Sequence, residues 1–516
     1  MTAITKSKIS QTNDHGTNRR PLKAADWFGT ACWTVLLICS IWLWISVLRL
    51  HILAGGMVAV IGVILLLVNG AHGYVQMPFR NGVRSKVICG AISIVISAAM
   101  IYAISATASV QSMLVNISGK VGQSETSYVF VLNEDSARDI GDAAGYRFGV
   151  LAHTDEENTE AVLGAVEKGL SDISQQPYPN ALELVQALYD HKTDAIILNE
   201  GYLAILERQE AYADFSKRTR SIYQFTQAAE MQEILPNTAI TREPFVVYCS
   251  GSDARSTDIN AYGLSDVNII AVIHPTTHQI LLINTPRDYY VPLVSDPYIG
   301  KYDKLTHVGG LGIQECMKTL GAFYGVEVPY FVRINFTGLI EIVDSLGGID
   351  VNSSQEFDSY NIGVLDNGDE ADYHFRKGEN HLNGHEALAF CRERYAFGDG
   401  DNQRGKNQME AIRAIVKKAS SSAVLTKYDA LLESVGDSVK TNMPYEDIAS
   451  LLRLQISTGA DWNVTSYAAQ GTNASGACAI SGYSGLFIIQ PNEMSVEKAR
   501  ELIQTVLSGG VPSLAE

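Results

Sequence analysis

The chain has 516 residues, of which 46% are hydrophobic, and a formal net charge of −17. Its length predicts two or three domains, and its acidic charge argues against a nucleic-acid partner, because such binding depends on neutralising phosphates with Lys and Arg. The seven cysteines lack CxxC and metal-site spacing. We therefore expect the cysteines to be small, buried apolar side chains rather than a disulfide framework. The sequence leaves open whether two of them form one disulfide.

Three apolar stretches near the amino terminus predict membrane-spanning helices. They cover residues 27 to 48, about 52 to 69, and 87 to 110, and none of them contains Asp, Glu, Lys or Arg. Stretches of this length suit the hydrocarbon core of a bilayer, the second being the shortest. A cleaved signal peptide would instead show one apolar segment of about 7 to 15 residues.

The charge distribution predicts how these helices are oriented. Residues 1 to 114 contain nine Lys or Arg and two Asp or Glu, a net charge of +7, so the remainder carries −24. By the positive-inside rule, the amino terminus and the loop between the second and third helices are cytoplasmic. Three crossings then place everything after about residue 112 outside the cell.

A small α/β domain is predicted after a polar stalk at residues 111 to 127. Strand patterns at 128–132, 147–151 and 193–198 alternate with helix patterns at 158–170 and 180–191, and the domain ends near residue 226. Its charges have the spacing of solvated faces, so we expect a structural or partner-binding role rather than a catalytic one. Residues 227 to 243 have little periodicity and predict a linker.

A second, layered α/β domain with a central mixed sheet follows. Strands are predicted at 245–248, 267–273, 279–285, 330–334 and 387–394, and helices at 310–324, 337–346 and 402–418. The predicted organisation is a cytoplasmic tail (1–26), three membrane helices (27–110), an accessory domain with its linker (111–243), this second α/β domain (244–425) and a carboxy-terminal part that packs on it (426–516).

The run CRERYAFGDGDNQRGKNQ at residues 391 to 408 has the composition of a phosphate-binding site. On the predicted strand, Arg392 and Arg394 project from one face, and Arg404 and Gln408 share a face near the positive end of the following helix. Guanidinium groups bind phosphate oxygens in bidentate geometry. The alternative is an exposed ion-pair network, which would add little stability.

Carboxylates near these cations predict a divalent metal site. Asp253 ends one predicted strand and Asp266 begins the next, so both would lie at one edge of the sheet. An ordinary structural role is the alternative for both: Asp253 as a turn residue and Asp266 as the first residue of a strand. Asp399 or Asp401 would cap the helix that follows the Arg run.

Two further segments supply charges at strand ends, where α/β proteins gather ligands. Arg287 and Asp288 follow the third strand of the second domain, and Lys304 precedes a helix. Each alone would be an ordinary surface charge. His307 is predicted to be a packed, hydrogen-bonded residue rather than a ligand.

Seven motifs in one order resemble the LytR-CpsA-Psr family over residues 245 to 418. They are GSDAR, SDVNIIAV, INTPRDYYV, KLTHVGG, VRINFTGLIEIVDSLGGIDV, GENHLNGHEALAFCRERY and DGDNQRGKNQ. The membrane helices and the accessory domain further resemble the capsule-associated CpsA branch. The resemblance implies pyrophosphate contacts at Arg287, Lys304, Arg392, Arg394, Arg404 and Gln408, metal carboxylates at Asp253 and Asp266, and a supporting acid at Asp401. Arg255 matches only some branches, and its role stays open.

The resemblance implies a phosphotransferase on the outer face of the cell membrane. Such an enzyme moves a cell-wall or capsular polysaccharide from a polyprenyl-pyrophosphate lipid to peptidoglycan, with Mg²⁺ or Mn²⁺ as cofactor, and works beside polysaccharide-synthesis partners. Asp253 or Asp288 would position or deprotonate the acceptor hydroxyl, and residues 331 to 343 are the most apolar candidate wall for the lipid tail. Two alternatives stay open: a pyrophosphatase acting on the same lipid, and a non-catalytic membrane regulator of polysaccharide synthesis.

Overall fold

The computed structural model describes residues 24–77, 82–118, 123–152, 155–170, 173–229, 234–252, 263–359, 363–364, 370–398, 400–421 and 438–514. The chain forms two compact units. A membrane unit comprises residues 1–50 and 55–108, and an outer unit comprises residues 51–54 and 109–516.

Three helices are long and apolar enough to cross a membrane: α1 (Ala24–Leu50), α2 (Gly55–Gln76) and α3 (Val83–Ile117). The membrane unit contains α1, α2 and α3 up to residue 108. Two pairs of polar side chains connect the helices, and such pairing lowers the cost of polar groups in an apolar bundle. Asp26 and Lys86 form an ion pair, and Asn69 Nδ2 donates to Ser40 Oγ at 2.7 Å. The predicted polar stalk (residues 111 to 127) is wrong at residues 123–127, which belong to the first strand of the accessory domain, and at residues 111–117, which continue α3. That segment lacks Gly and Pro, so the hydrogen bonding of α3 continues through it.

The accessory domain (residues 123–229) is the predicted small α/β domain. Its elements are β1 (Gln123–Leu132), β2 (Arg147–Leu151), α4 (Glu156–Val166), β3 (Ser174–Tyr178), α5 (Ala181–Tyr189), β4 (Ala195–Asn199), α6 (Glu200–Glu207), α7 (Phe215–Arg218) and β5 (Thr219–Ala229). The strands form one mixed sheet in the order β3-β2-β4-β1-β5. The predicted linker therefore begins inside β5.

The large domain (residues 234–514) is built around a six-stranded mixed sheet in the order β18-β11-β6-β7-β8-β19. Its first elements are β6 (Phe245–Ser252), β7 (Val267–His274), β8 (Gln279–Asn284), β9 (Tyr290–Pro292), β10 (Tyr302–Lys304), α8 (Leu305–Val308), α9 (Ile313–Tyr324), β11 (Tyr330–Asn335) and α10 (Phe336–Ser345). Strand β7 is antiparallel to both of its neighbours, β6 and β8. The carboxyl ends of β6 and β8 and the start of β7 therefore lie together at one end of these central strands, which is called the sheet edge below.

The rest of the large domain covers and extends this sheet. Its elements are β12 (Ile349–Ser353), β13 (Phe357–Asp358), β14 (Gly363–Val364), β15 (Glu370–Ala371), β16 (His374–Phe375), β17 (Gly378–Leu382), α11 (Gly384–Arg392), α12 (Asp401–Ala419), β18 (Val439–Thr441), α13 (Tyr445–Thr458), β19 (Asn463–Ala468), β20 (Gly471–Gly476), β21 (Leu486–Pro491) and α14 (Glu493–Leu507). Both edge strands, β18 and β19, come from the predicted carboxy-terminal part.

The strand predicted at 387–394 is wrong, because this segment is helix α11. Asn383 caps the helix: its side chain accepts from the backbone N–H of Glu386, and the Glu386 carboxylate accepts from the backbone N–H of Asn383. This reciprocal capping box fixes the start of a helix. The run Ala387 to Cys391 is buried throughout, which explains its resemblance to a central strand.

The two domains of the outer unit share a hydrophobic core. Leu198 and Tyr202 of the accessory domain belong to the same buried cluster as Tyr248 and Ile270 of the large sheet. The hydroxyl groups of Tyr202 and Tyr298 lie 3.2 Å apart at this boundary. The accessory domain is therefore packed onto the large domain through α6.

Candidate active site

Asp266 lies at the edge of the large sheet, immediately before β7. Its backbone N–H donates to the carbonyl oxygen of Gly251 near the end of β6, at 2.9 Å. Arg287 follows β8, and its Nη1 donates to Asp266 Oδ1 at 2.9 Å. The predicted residues Asp253 and Arg255 lie outside the described residues. This edge therefore brings one predicted metal carboxylate together with one predicted phosphate ligand.

A third member of this cluster comes from the accessory domain. Arg208, which follows α6, places Nη2 3.2 Å from Asp266 Oδ2 and Nη1 3.3 Å from Asp266 Oδ1. Burial raises the pKa of the Asp266 carboxyl, but the charges of Arg208 and Arg287 outweigh burial and hold that pKa below its ordinary value of 3.8. Asp266 is therefore an anion at neutral pH.

The cluster continues from Arg287 along the β9–β10 hairpin. Lys304 Nζ lies 3.2 Å from Asp288 Oδ1, and Arg287 Nε lies 3.5 Å from Asp288 Oδ2. Among the described side chains, Arg208, Arg287 and Lys304 thus face two carboxylates, Asp266 and Asp288. The cluster therefore gathers three cationic side chains whose N–H groups can bind an anionic ligand.

The predicted arginines of the 391–408 run lie at the end of α11 and just after it. The Arg392 guanidinium stands 4.6 Å from the centre of the Phe336 ring, and Arg394 Nη2 donates to the Tyr395 hydroxyl at 2.6 Å. This hydrogen bond and the charge of Arg394, together with the charge of Arg287, lower the pKa of Tyr395. Tyr395 therefore responds to the charges of both Arg394 and Arg287.

Helix α12 connects these parts. Arg404 and Gln408 lie one turn apart and are both buried, and Gln408 Nε2 donates to the carbonyl oxygen of Cys391 at 3.2 Å. Between them, a Cβ on Gly405 would overlap the side-chain amide of Asn284 at the end of β8. Gly400 occupies the cap position in place of the predicted Asp399 or Asp401. Asp399 and the side chain of Asp401 are outside the described part of the chain.

An apolar cavity of about 100 Å³ lies between the sheet and helices α10 to α12. Its polar lining residues are Ser250, Ser252, Asn335, Arg392 and Gln408. Its apolar wall consists of Val267, Ile334, Phe336, Leu339, Leu388, Ala411, Ile412 and Ile415. Three of these fall in the stretch 331–343 predicted as the lipid wall, whereas Phe331 and Val343 at its ends are ordinary core.

The family model for the LytR-CpsA-Psr family matches residues 207–498 of this chain. The chain belongs to this family. A polyisoprenyl-teichoic acid–peptidoglycan teichoic acid transferase TagU from Bacillus cereus is 32% identical over 207 residues, which are 40% of this chain and 62% of that protein. The TagU of Enterococcus faecalis is 30% identical over 241 residues, 46% of this chain and 74% of that protein.

Solved structures of the same kind are also similar to the chain. The crystal structure of B. subtilis TagV shares 25% identity and a TM-score of 0.43, and the match covers 52% of this chain and 99% of that one. The family match begins at residue 207. It therefore leaves most of the accessory domain outside but includes Arg208.

The described residues fit a magnesium ion in part. Asp266 offers hard carboxylate oxygens, and Mg²⁺ is commonly held by one or two carboxylates plus substrate phosphates. Arg208 and Arg287 contact the same oxygens, so a cation there would share Asp266 with them. Asp253, the other predicted metal ligand, lies outside the described ranges.

A different cluster, Asp303, His307 and Cys478, also has metal-ligand chemistry, but its hydrogen bonds explain it. The Asp303 carboxylate contacts His307 Nδ1 at 2.6 Å and accepts from the backbone N–H of Ile480 at 2.6 Å. Burial and the charge of Asp303 raise the pKa of the Cys478 thiol, which keeps its proton. The prediction that His307 is packed and hydrogen-bonded is confirmed.

The sequence patterns did not predict two residues of the site. Tyr395 is 70% exposed beside Arg394, and its place within the predicted Arg run was a usable signal. Arg208 had no such signal, because it is one of many charges in the accessory domain. The expectation that these charges are only solvated faces is wrong for Arg208.

Proposed function

We propose that this chain is a glycopolymer phosphotransferase, which moves a cell-wall or capsular polysaccharide from a polyprenyl-pyrophosphate lipid to peptidoglycan. One observation carries the proposal: the cluster of Arg and Lys side chains adjoins an apolar cavity that Arg392 and Gln408 help to line. A lipid pyrophosphate needs both surfaces, one for its charge and one for its tail. The names of the TagU relatives support the same reaction class.

The reaction would join the polymer to the glycan through a phosphodiester. The oxygen of an acceptor hydroxyl forms a bond to the phosphorus nearest the polymer, and the bond from that phosphorus to the bridging oxygen breaks. Polyprenyl phosphate leaves with the bond electrons, and the hydroxyl proton passes to a base. Asp288, beside Arg287 and Lys304, is one candidate for that base, and Asp253 is the other.

The residues of the site would bind and orient the two phosphates. Arg287, Lys304, Arg392, Arg394, Arg404 and Gln408 would neutralise the charge of the pyrophosphate and of the leaving phosphate. Asp266, with Asp253, would hold Mg²⁺ or Mn²⁺, and such an ion supplies further charge neutralisation when bound.

Membrane anchoring by α1 to α3 would keep the site on the face that its lipid substrate occupies. We propose a multi-pass arrangement with the outer unit outside the cell, as the distribution of Lys and Arg predicts. The cavity volume of about 100 Å³ is below the roughly 300 to 1,000 Å³ of typical ligand pockets. Only the first part of a lipid tail would fit without widening it, and the remainder would stay in the bilayer.

The test is transfer by the purified full chain in detergent, with lipid-linked polymer as donor and peptidoglycan as acceptor. Arg392→Ala and Arg394→Ala should each lower the rate of polymer attachment about 100-fold, because each removes one charged donor to the phosphates. Arg376→Ala is the matched control, since Arg376 is exposed elsewhere in the large domain. Unchanged attachment by both site variants would overturn the proposal and favour a regulatory role.

A further inference from the structure

Arg208 is held at the sheet edge by the way α6 packs. The backbones of Gly201 in α6 and Gly310 in the large domain approach so closely that a Cβ on Gly201 would overlap the carbonyl oxygen of Gly310. Gly310 belongs to the turn Gly309–Leu311, and the carbonyl oxygen of Gly309 accepts from the N–H of Gly263, shortly before Asp266. Helix α6 therefore has a fixed position beside Asp266.

The contact between Arg208 and Asp266 differs from an ordinary surface ion pair. Arg208 uses two nitrogens on two carboxylate oxygens, at 3.2 and 3.3 Å, and its side chain is only 33% exposed. Asp266 is already paired with Arg287 at 2.9 Å. One carboxylate therefore positions two guanidiniums, one from each domain.

We propose that the accessory domain contributes Arg208 to the active site as a phosphate-binding residue, which Asp266 holds in position for the pyrophosphate of the lipid donor. This inference rests on the proposed function. A divalent cation on Asp266 would compete with Arg208 for the same two oxygens. A bound pyrophosphate would offer the displaced guanidinium another anionic partner.

Competition for Asp266 predicts opposite effects on two ligands. Removing the Arg208 guanidinium takes a charged donor away from a bound pyrophosphate, so the affinity for pyrophosphate should fall. The same change removes a positive charge from Asp266, so the affinity for a divalent cation should rise. A purely structural role for Arg208 would weaken both ligands together.

The experiment measures both affinities on the full chain in detergent. Inorganic pyrophosphate is titrated by calorimetry without metal, and Mn²⁺ alone is titrated by electron paramagnetic resonance. Arg208→Ala should weaken pyrophosphate about tenfold and tighten Mn²⁺ about threefold. Arg208→Lys keeps the positive charge but loses the planar guanidinium with its paired N–H donors. Its affinities for both ligands should lie between those of wild type and Arg208→Ala. Arg138→Ala, at an exposed arginine of the same domain, should change neither affinity.

Two results would overturn the inference. One is an Arg208→Ala variant that binds both ligands as Arg138→Ala does. The other is a parallel loss of both affinities with a lowered melting temperature. The Arg392→Ala variant tests the proposed function separately. If pyrophosphate binding is lost in Arg392→Ala but kept in Arg208→Ala, only the role of Arg208 is contradicted and the proposed function stands. Wild-type pyrophosphate affinity in Arg392→Ala would contradict the proposed clamp itself.

Discussion

At the scale of single residues, Asp266 is the centre of the candidate site. Its carboxylate is shared by Arg208 from one domain and Arg287 from the other. Both guanidiniums favour the charged form, and together they outweigh the cost of burial. Protonation of Asp266 would therefore weaken the contact between the accessory domain and the large domain.

The pH dependence of stability should show this coupling. Because the pKa of Asp266 is lowered by folding, its contribution to stability is fully present above the ordinary value of 3.8 and is lost as pH falls below it. In a melting series of the full chain from about pH 6 to pH 3, wild type should lose stability more steeply than Asp266→Asn. Parallel curves for the two proteins would contradict this assignment.

At the scale of elements, the sequence predicted most helices and strands of the large domain but not helix α11. The pattern correctly indicated the central strands and helices α9, α10 and α12, because apolar periodicity and the Gly residues that follow α9 and α10 are local signals. It failed for α11, where burial on all sides hides the helical period and only Asn383 and Glu386 mark the start. The site chemistry was predictable from residue types, whereas the contact of Arg208 depends on domain packing.

The position of α11 against α10 can be tested at Gly384. A Cβ at this residue would lie 2.5 Å from the carbonyl oxygen of Ile340, so Gly384→Ala should push the helices apart and cost about 1 to 3 kcal/mol of stability. Because α11 ends at Arg392, polymer transfer should also fall. Gly398→Ala is the control, since nothing lies within 4 Å of the Cβ it would add. Equal melting temperatures for the two variants would argue against this packing.

At the scale of the whole molecule, three apolar helices precede an acidic outer unit. Net charges of +7 before residue 115 and −24 after it fit a chain with its basic segments inside the cell. A site for a lipid pyrophosphate benefits from such anchoring, because the membrane confines enzyme and lipid to the same surface.

Reporter fusions test this orientation. Alkaline phosphatase joined after Glu516 should be active, because the enzyme folds only outside the cytoplasm, and a fluorescent protein joined there should stay dark. Fusions in the loop between α2 and α3 should give the reverse pattern. A fluorescent carboxy-terminal fusion would place the site on the wrong side for the proposed substrate.

The most direct test of the central claim is the chemical linkage in the product. After transfer by the full chain and digestion of the peptidoglycan, mass spectrometry and ³¹P NMR should show polymer joined to a muropeptide through a single phosphodiester, with polyprenyl phosphate released in equal amount. Free polymer ending in a phosphomonoester, with none joined to glycan, would contradict phosphotransfer and identify a pyrophosphatase instead.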